Sequence, residues 1–72
     1  MPYIKIELTR EGITREKKQH LIEGVTDLIT TVLNKDPHLT HVVIQEVEFD
    51  DWGYAGKQVS VLRENGITAD RK

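Results

Sequence analysis

The chain has 72 residues, with 10 basic and 12 acidic side chains, a formal net charge of −2 and no cysteine. That length sets one domain, 1–72, which buries only about 60% of the surface its unfolded chain exposes. The mixed charge excludes a basic nucleic-acid footprint, and the missing cysteine excludes disulfides and thiolate metal sites.

Residues 3–8 alternate: Ile4, Ile6 and Leu8 fall on one side, Tyr3, Lys5 and Glu7 on the other. A period of two predicts a half-buried strand. TREG (9–12) breaks it, with Gly12 as punctuation. Thr14 is a good N-cap, and Glu16 suits the positive end of a helix. Leu21, Ile22, Val25, Leu28, Ile29, Val32 and Leu33 then recur at helical spacing. They span about 140° of a helical wheel, a broad face made to lie on a sheet. Lys18 falls in line with that stripe, its stem packing and its head snorkelling to water.

NKDP (34–37) ends the helix: Asn34 accepts a left-handed cap, and Pro37 disfavours a helical Asp36. THVVIQEVEF (40–49) predicts a second strand, apolar on both faces at Val42, Val43 and Ile44 like a central parallel strand. DDWGYAGK (50–57) reads as a loop, QVSVL (58–62) as a short third strand and ENG (64–66) as a turn. ADRK (69–72) reads as a loose end.

Two strands joined by a crossover holding one long helix make a β-α-β unit with parallel strands and a right-handed crossover. The class is α+β. One helix covers one sheet face and leaves the other bare, so the unit encloses no core. Without disulfides, the remaining staple is a partner subunit, and a homo-oligomer assembled through the sheet is expected. No apolar run approaches the roughly 18 residues of a membrane span. The N-terminus lacks a basic segment followed by an apolar one. A cytoplasmic protein is expected.

Several residues could carry chemistry. Pro2 follows Met1, and methionine aminopeptidases remove Met before small residues, proline included. The product would be a free secondary amine. An ordinary α-amino group titrates near about 7.7–8.0, and burial or a neighbouring cation lowers that. Such an amine is partly neutral near pH 7, as a general base must be. By composition alone, proline here is incidental.

Arg10 ends the first strand, Arg15 opens the helix and Arg63 follows the third strand; each could fork onto a carboxylate, or be a solvated surface cation. Trp52, the only tryptophan, is a packing anchor or a pocket wall. Glu46, Glu48, Asp50 and Asp51 read as a solvated strand edge and turn rather than a metal site. His20, His38 and His41 lie at no metal-ligand spacing.

Pro2 after Met1, one long helix within a β-α-β unit and the late WGYAG loop resemble the 4-oxalocrotonate tautomerase family of the tautomerase superfamily. MPYIKI, LIEGVTDLI and VVIQEVEFDDWGYAGK carry the resemblance, which runs from Pro2 to about Val61. It implies small β-α-β chains assembled into hexamers, with trimers or dimers as alternatives, sheets inside and helices outside. It implies an isomerase that uses no cofactor and no metal. The amino-terminal proline is then the catalytic base. It moves a proton between the enol oxygen and a carbon of a 2-hydroxy-dienoate or related 2-keto acid.

Residue by residue, Pro2 matches the catalytic proline and Trp52 the aromatic wall. Arg10 stands in for the first-loop arginine, although it lies two residues before Gly12 where the family's arginine follows a glycine. His41 aligns with the strand arginine used on diacids, and it lacks the bidentate fork. These departures imply a monocarboxylate or aryl enol rather than a dicarboxylate. Two other readings stand beside this one. The first is a proline acting as general acid in a hydratase or dehalogenase. The second is a non-catalytic oligomeric module.

Overall fold

The computed structural model describes residues 1–67. Strand β1 (Tyr3–Thr9) pairs in parallel with β2 (His41–Val47), from Tyr3 opposite His41 to Thr9 opposite Val47. Helix α1 (Arg15–Leu33) makes the crossover. Its ends are those expected: Thr14 accepts a hydrogen bond from the Lys17 N–H at 3.2 Å, and Asn34 adopts the left-handed conformation at φ 53°. A short 3-10 turn at Pro37–Leu39 leads into β2.

The period of two sorts the sheet. Ile4, Ile6 and Leu8 of β1 and Val42 and Ile44 of β2 are half-buried. Tyr3, Lys5 and Glu7 stand opposite His41, Val43 and Gln45 on the other face, and all six are exposed. The expected bare face is therefore present.

The helical stripe is narrower in use than in sequence. Ile22, Val25 and Ile29 are half-buried, with Thr26 and Thr30 beside them. Leu21, Leu28, Val32 and Leu33 remain exposed, Leu28 at 60% and Val32 at 67%. A two-stranded sheet is only one inter-strand spacing wide, about 5 Å, and cannot cover a 140° face.

Of the C-terminal strand or hairpin expected, the hairpin is present, and the strand reading of 58–62 is replaced by a helix. Gly53–Tyr54 (β3) and Lys57–Gln58 (β4) form a small antiparallel hairpin, and Val59–Glu64 is a short helix, α2. The two loop residues of the hairpin, Ala55 and Gly56, have φ 55° and 77°, the left-handed pair that a tight type I′ hairpin demands. Gly53 is required for another reason: a Cβ there would lie 2.9 Å from the Lys57 carbonyl oxygen. VSVL reads as alternation, but Val59 and Leu62 lie at i,i+3, and a helix places both on one face.

Those two are the only buried hydrophobic residues among the described ones, at 8% and 6% exposure. The turn at ENG is present, with Gly66 at φ 80°. ADRK lies outside the described residues.

Candidate active site

The named candidates sort to the two ends of β1. Pro2 immediately precedes the strand, and its carbonyl accepts the His41 N–H at 3.0 Å. Parallel register therefore brings Pro2 and His41 together. Met1, which precedes Pro2, is 85% exposed.

The other end is built from charge. Arg10 continues β1 by one more rung, its N–H donating to the Val47 carbonyl at 2.8 Å. Its guanidinium is held by two carboxylates of the β2 end, Nη1 at 2.7 Å from Glu46 Oε2 and Nε at 2.5 Å from Glu48 Oε1. Lys18 Nζ reaches the remaining Glu46 oxygen at 2.7 Å. Glu46 follows Ile44 on the helix-facing side of β2, which is why a lysine in line with the helical stripe meets it.

Lys18, more than Arg10, holds the Glu46 carboxyl below the usual carboxylate range. The Arg10 guanidinium is pushed up, first by its hydrogen bond to Glu48. The acidic cluster is thus a clamp on the β1–α1 loop. Asp50 and Asp51 lie apart from it, in an exposed 3-10 turn. Among the described residues, no group of three or more histidines, cysteines or acids is placed to hold a metal ion.

Beside this clamp lies a cavity of about 270 Å³. Leu8, Trp52, Tyr54, Val59 and Ile67 give it apolar walls; Glu7, Thr9, Glu11 and Arg63 supply its polar groups. Trp52 is half-buried, and its carbonyl accepts the Val59 N–H at 2.7 Å, which joins the aromatic wall to the start of α2. Arg10 lines a different depression, with Glu48, Phe49, Asp50 and Ser60. Arg15 sits on the outer surface of α1 beside Glu16 and Gln19.

The cavity's arginine is Arg63. The sequence shows it only as a cation after a supposed strand; helix α2 turns it inward. Arg63 Nη2 lies 2.5 Å from Glu11 Oε1, and its guanidinium sits over the Phe49 ring at 5.0 Å from the centroid.

Within one chain, then, Pro2 does not meet Trp52, Arg10 or Arg63. The length of β1 separates them, roughly 20 Å at about 3.3 Å per residue. A strand proline stands at one end and an aromatic, arginine-bearing cavity at the other. Comparison with known proteins identifies the family. The model of the family described as "Tautomerase enzyme" matches residues 2–62.

The chain belongs to the 4-oxalocrotonate tautomerase family.

A probable tautomerase of Dickeya dadantii is 45% identical over 64 residues, covering 89% of this chain and 96% of its own. The solved structure of DmpI from Helicobacter pylori matches at a TM-score of 0.83 and 46% identity, covering 88% of this chain and 97% of its own. A Bacillus subtilis relative, 33% identical over 60 residues and covered at 83% of this chain and 95% of its own, is named 2-hydroxymuconate tautomerase. The chain is accordingly an isomerase that interconverts keto and enol groups. No helix among its described residues is long and apolar enough to cross a membrane.

Proposed function

We propose that this chain, a single domain over residues 1–72, is a cytoplasmic, cofactor-independent tautomerase with the amino group of Pro2 as general base. The substrate is a 2-hydroxy-dienoate or related enol of a 2-keto acid. One observation carries the reading: a proline at residue 2 begins the segment, 2–62, that matches the tautomerase family. Removal of Met1 frees the secondary amine. The amine takes the proton of the enol hydroxyl and returns it to carbon, so the base is regenerated and no redox partner is needed.

Trp52 supplies the apolar wall that excludes water and favours the neutral amine. His41 stands beside the base, where its ring can meet the substrate's polar end. Arg10, engaged by two glutamates, orders the loop that leads to Glu11 and assists binding from there. The departures at Arg10 and His41 favour a monocarboxylate or aryl enol, so phenylenolpyruvate is the substrate to try first, and the name of the Bacillus subtilis relative makes the diacid 2-hydroxymuconate the comparison.

The site is completed by a second copy. The bare face of β1 and β2 and the near absence of buried hydrophobic residues favour a homo-oligomer, a hexamer by the family resemblance. In it, Pro2 of one copy faces the Trp52 cavity of another.

The test is Pro2→Ala. Ketonisation of 2-hydroxymuconate or phenylenolpyruvate is expected to fall at least about 10²-fold, the usual worth of a positioned base, with the oligomer intact. Full activity in that variant, or an intact mass that retains Met1 in active protein, contradicts the assignment.

A further inference from the structure

Resting on that reading of the site, we propose that Arg63 is the carboxylate-binding residue of the Trp52 cavity and that Glu11 occupies its guanidinium when no substrate is bound. Three observations place the role on Arg63. It is the only cation among the cavity's lining residues within the described part of the chain. Its side chain is only 23% exposed and is braced by the Phe49 ring, so the fork is pre-positioned. The other arginine at this end, Arg10, lines a separate depression and is held by Glu46 and Glu48.

Glu11 tells what the fork accepts. A carboxylate already sits on Arg63, delivered by a side chain that is 32% exposed and carried by the β1–α1 loop. Thr9 donates to the other Glu11 oxygen. This is the geometry of a carboxylate held between a guanidinium and a hydroxyl, at the mouth of an apolar cavity. A substrate carboxylate that displaces Glu11 gains the same fork and places its hydrocarbon part against Leu8, Trp52 and Val59. The second acid of the lining, Glu7, is partnered by Lys5 at 3.5 Å and does not compete for Arg63. One guanidinium in one cavity selects one carboxylate, which fits monoacids better than diacids.

Binding can be read without turnover, because Trp52 is the only tryptophan and lines the cavity. Titration of 3-phenylpropionate and of the uncharged 3-phenylpropanamide into the oligomer, followed by tryptophan fluorescence, separates charge from shape. The wild type is expected to bind the acid roughly tenfold more tightly than the amide, and Arg63→Gln to remove that preference. Glu11→Gln, which leaves the fork unblocked, is expected to tighten the acid severalfold and leave the amide unchanged.

Equal acid preference in wild type and Arg63→Gln overturns the assignment. Should Arg63→Gln fail to fold, an unchanged acid affinity in Glu11→Gln overturns it instead. These outcomes stay distinct from failure of the base: an inactive wild type with an Arg63-dependent acid preference rejects the tautomerase reading alone.

Discussion

The two ends of β1 are built on opposite principles. At its start, Pro2, Tyr3 and His41 are held by backbone pairing, and their side chains make no ion pair among the described residues. At its finish, Arg10, Lys18, Glu46 and Glu48 form a clamp, and Trp52, Val59 and Arg63 wall a cavity. The first end carries the proposed base without walls around it, the second a walled cavity without a base. The difference teaches what a second copy would add: in the proposed assembly, one copy's start meets another's finish.

The largest effect is expected from breaking the assembly itself. Val43 lies on the bare face, 40% exposed in the single chain. Val43→Lys sets a second ammonium beside Lys5, its partner in register, and places an uncompensated charge in the proposed interface, at a cost of several kcal/mol. Sedimentation should show smaller species, and tautomerase activity should vanish with the oligomer. Retained activity in a monomer would merge the two ends into one site and end the comparison.

Next is the container. Trp52→Ala admits water beside the proposed base and raises its pKa. A proton-accepting Pro2 loses activity below its pKa, so the acid limb of the kcat/KM profile should move to higher pH. A shift of the alkaline limb alone would mark Pro2 as a general acid.

The clamp gives a smaller effect, on stability. Glu46 is 12% exposed at its side chain and meets two cations, whereas Glu48 is 59% exposed and meets one. Glu46→Gln should lower the thermal midpoint more than Glu48→Gln. The Glu46 and Glu11 carboxyls are both held below the usual carboxylate range, Glu46 chiefly by Lys18 and Glu11 chiefly by Thr9. Depressed folded-state values give stability that is present above the unfolded carboxylate value, about 4.3, and lost as pH falls through the folded ones. Acid titration followed by circular dichroism should show that loss, reduced in Glu46→Gln.

Most of the fold was legible because its signals are local. The alternation of β1, the Thr14 cap and the Asn34 terminus each declare themselves within a few residues. The WGYAG loop and Pro2 together pointed to the family. What was not legible depends on distant partners. VSVL became a helix because its flanking hairpin and the burial of Val59 and Leu62 outweigh β-branched propensity, and only their i,i+3 spacing hinted at it. Lys18 aligned with the apolar stripe, yet its partner Glu46 appears only when parallel register sets the two ends side by side. Arg63 was one of three arginines the sequence offered for a carboxylate and could not be ranked above Arg10 or Arg15, because only helix α2 brings it into the cavity.

Each active site is proposed to join Pro2 of one copy to the Trp52 cavity of another. Coexpression of two inactive variants, Pro2→Ala and the double Trp52→Ala, Arg63→Gln, with purification of the mixed oligomer, tests it directly. Sites that draw their halves independently from such a mixture should recover roughly a quarter of wild-type activity. A mixed oligomer as inactive as its parents would place both halves in one chain and contradict the account.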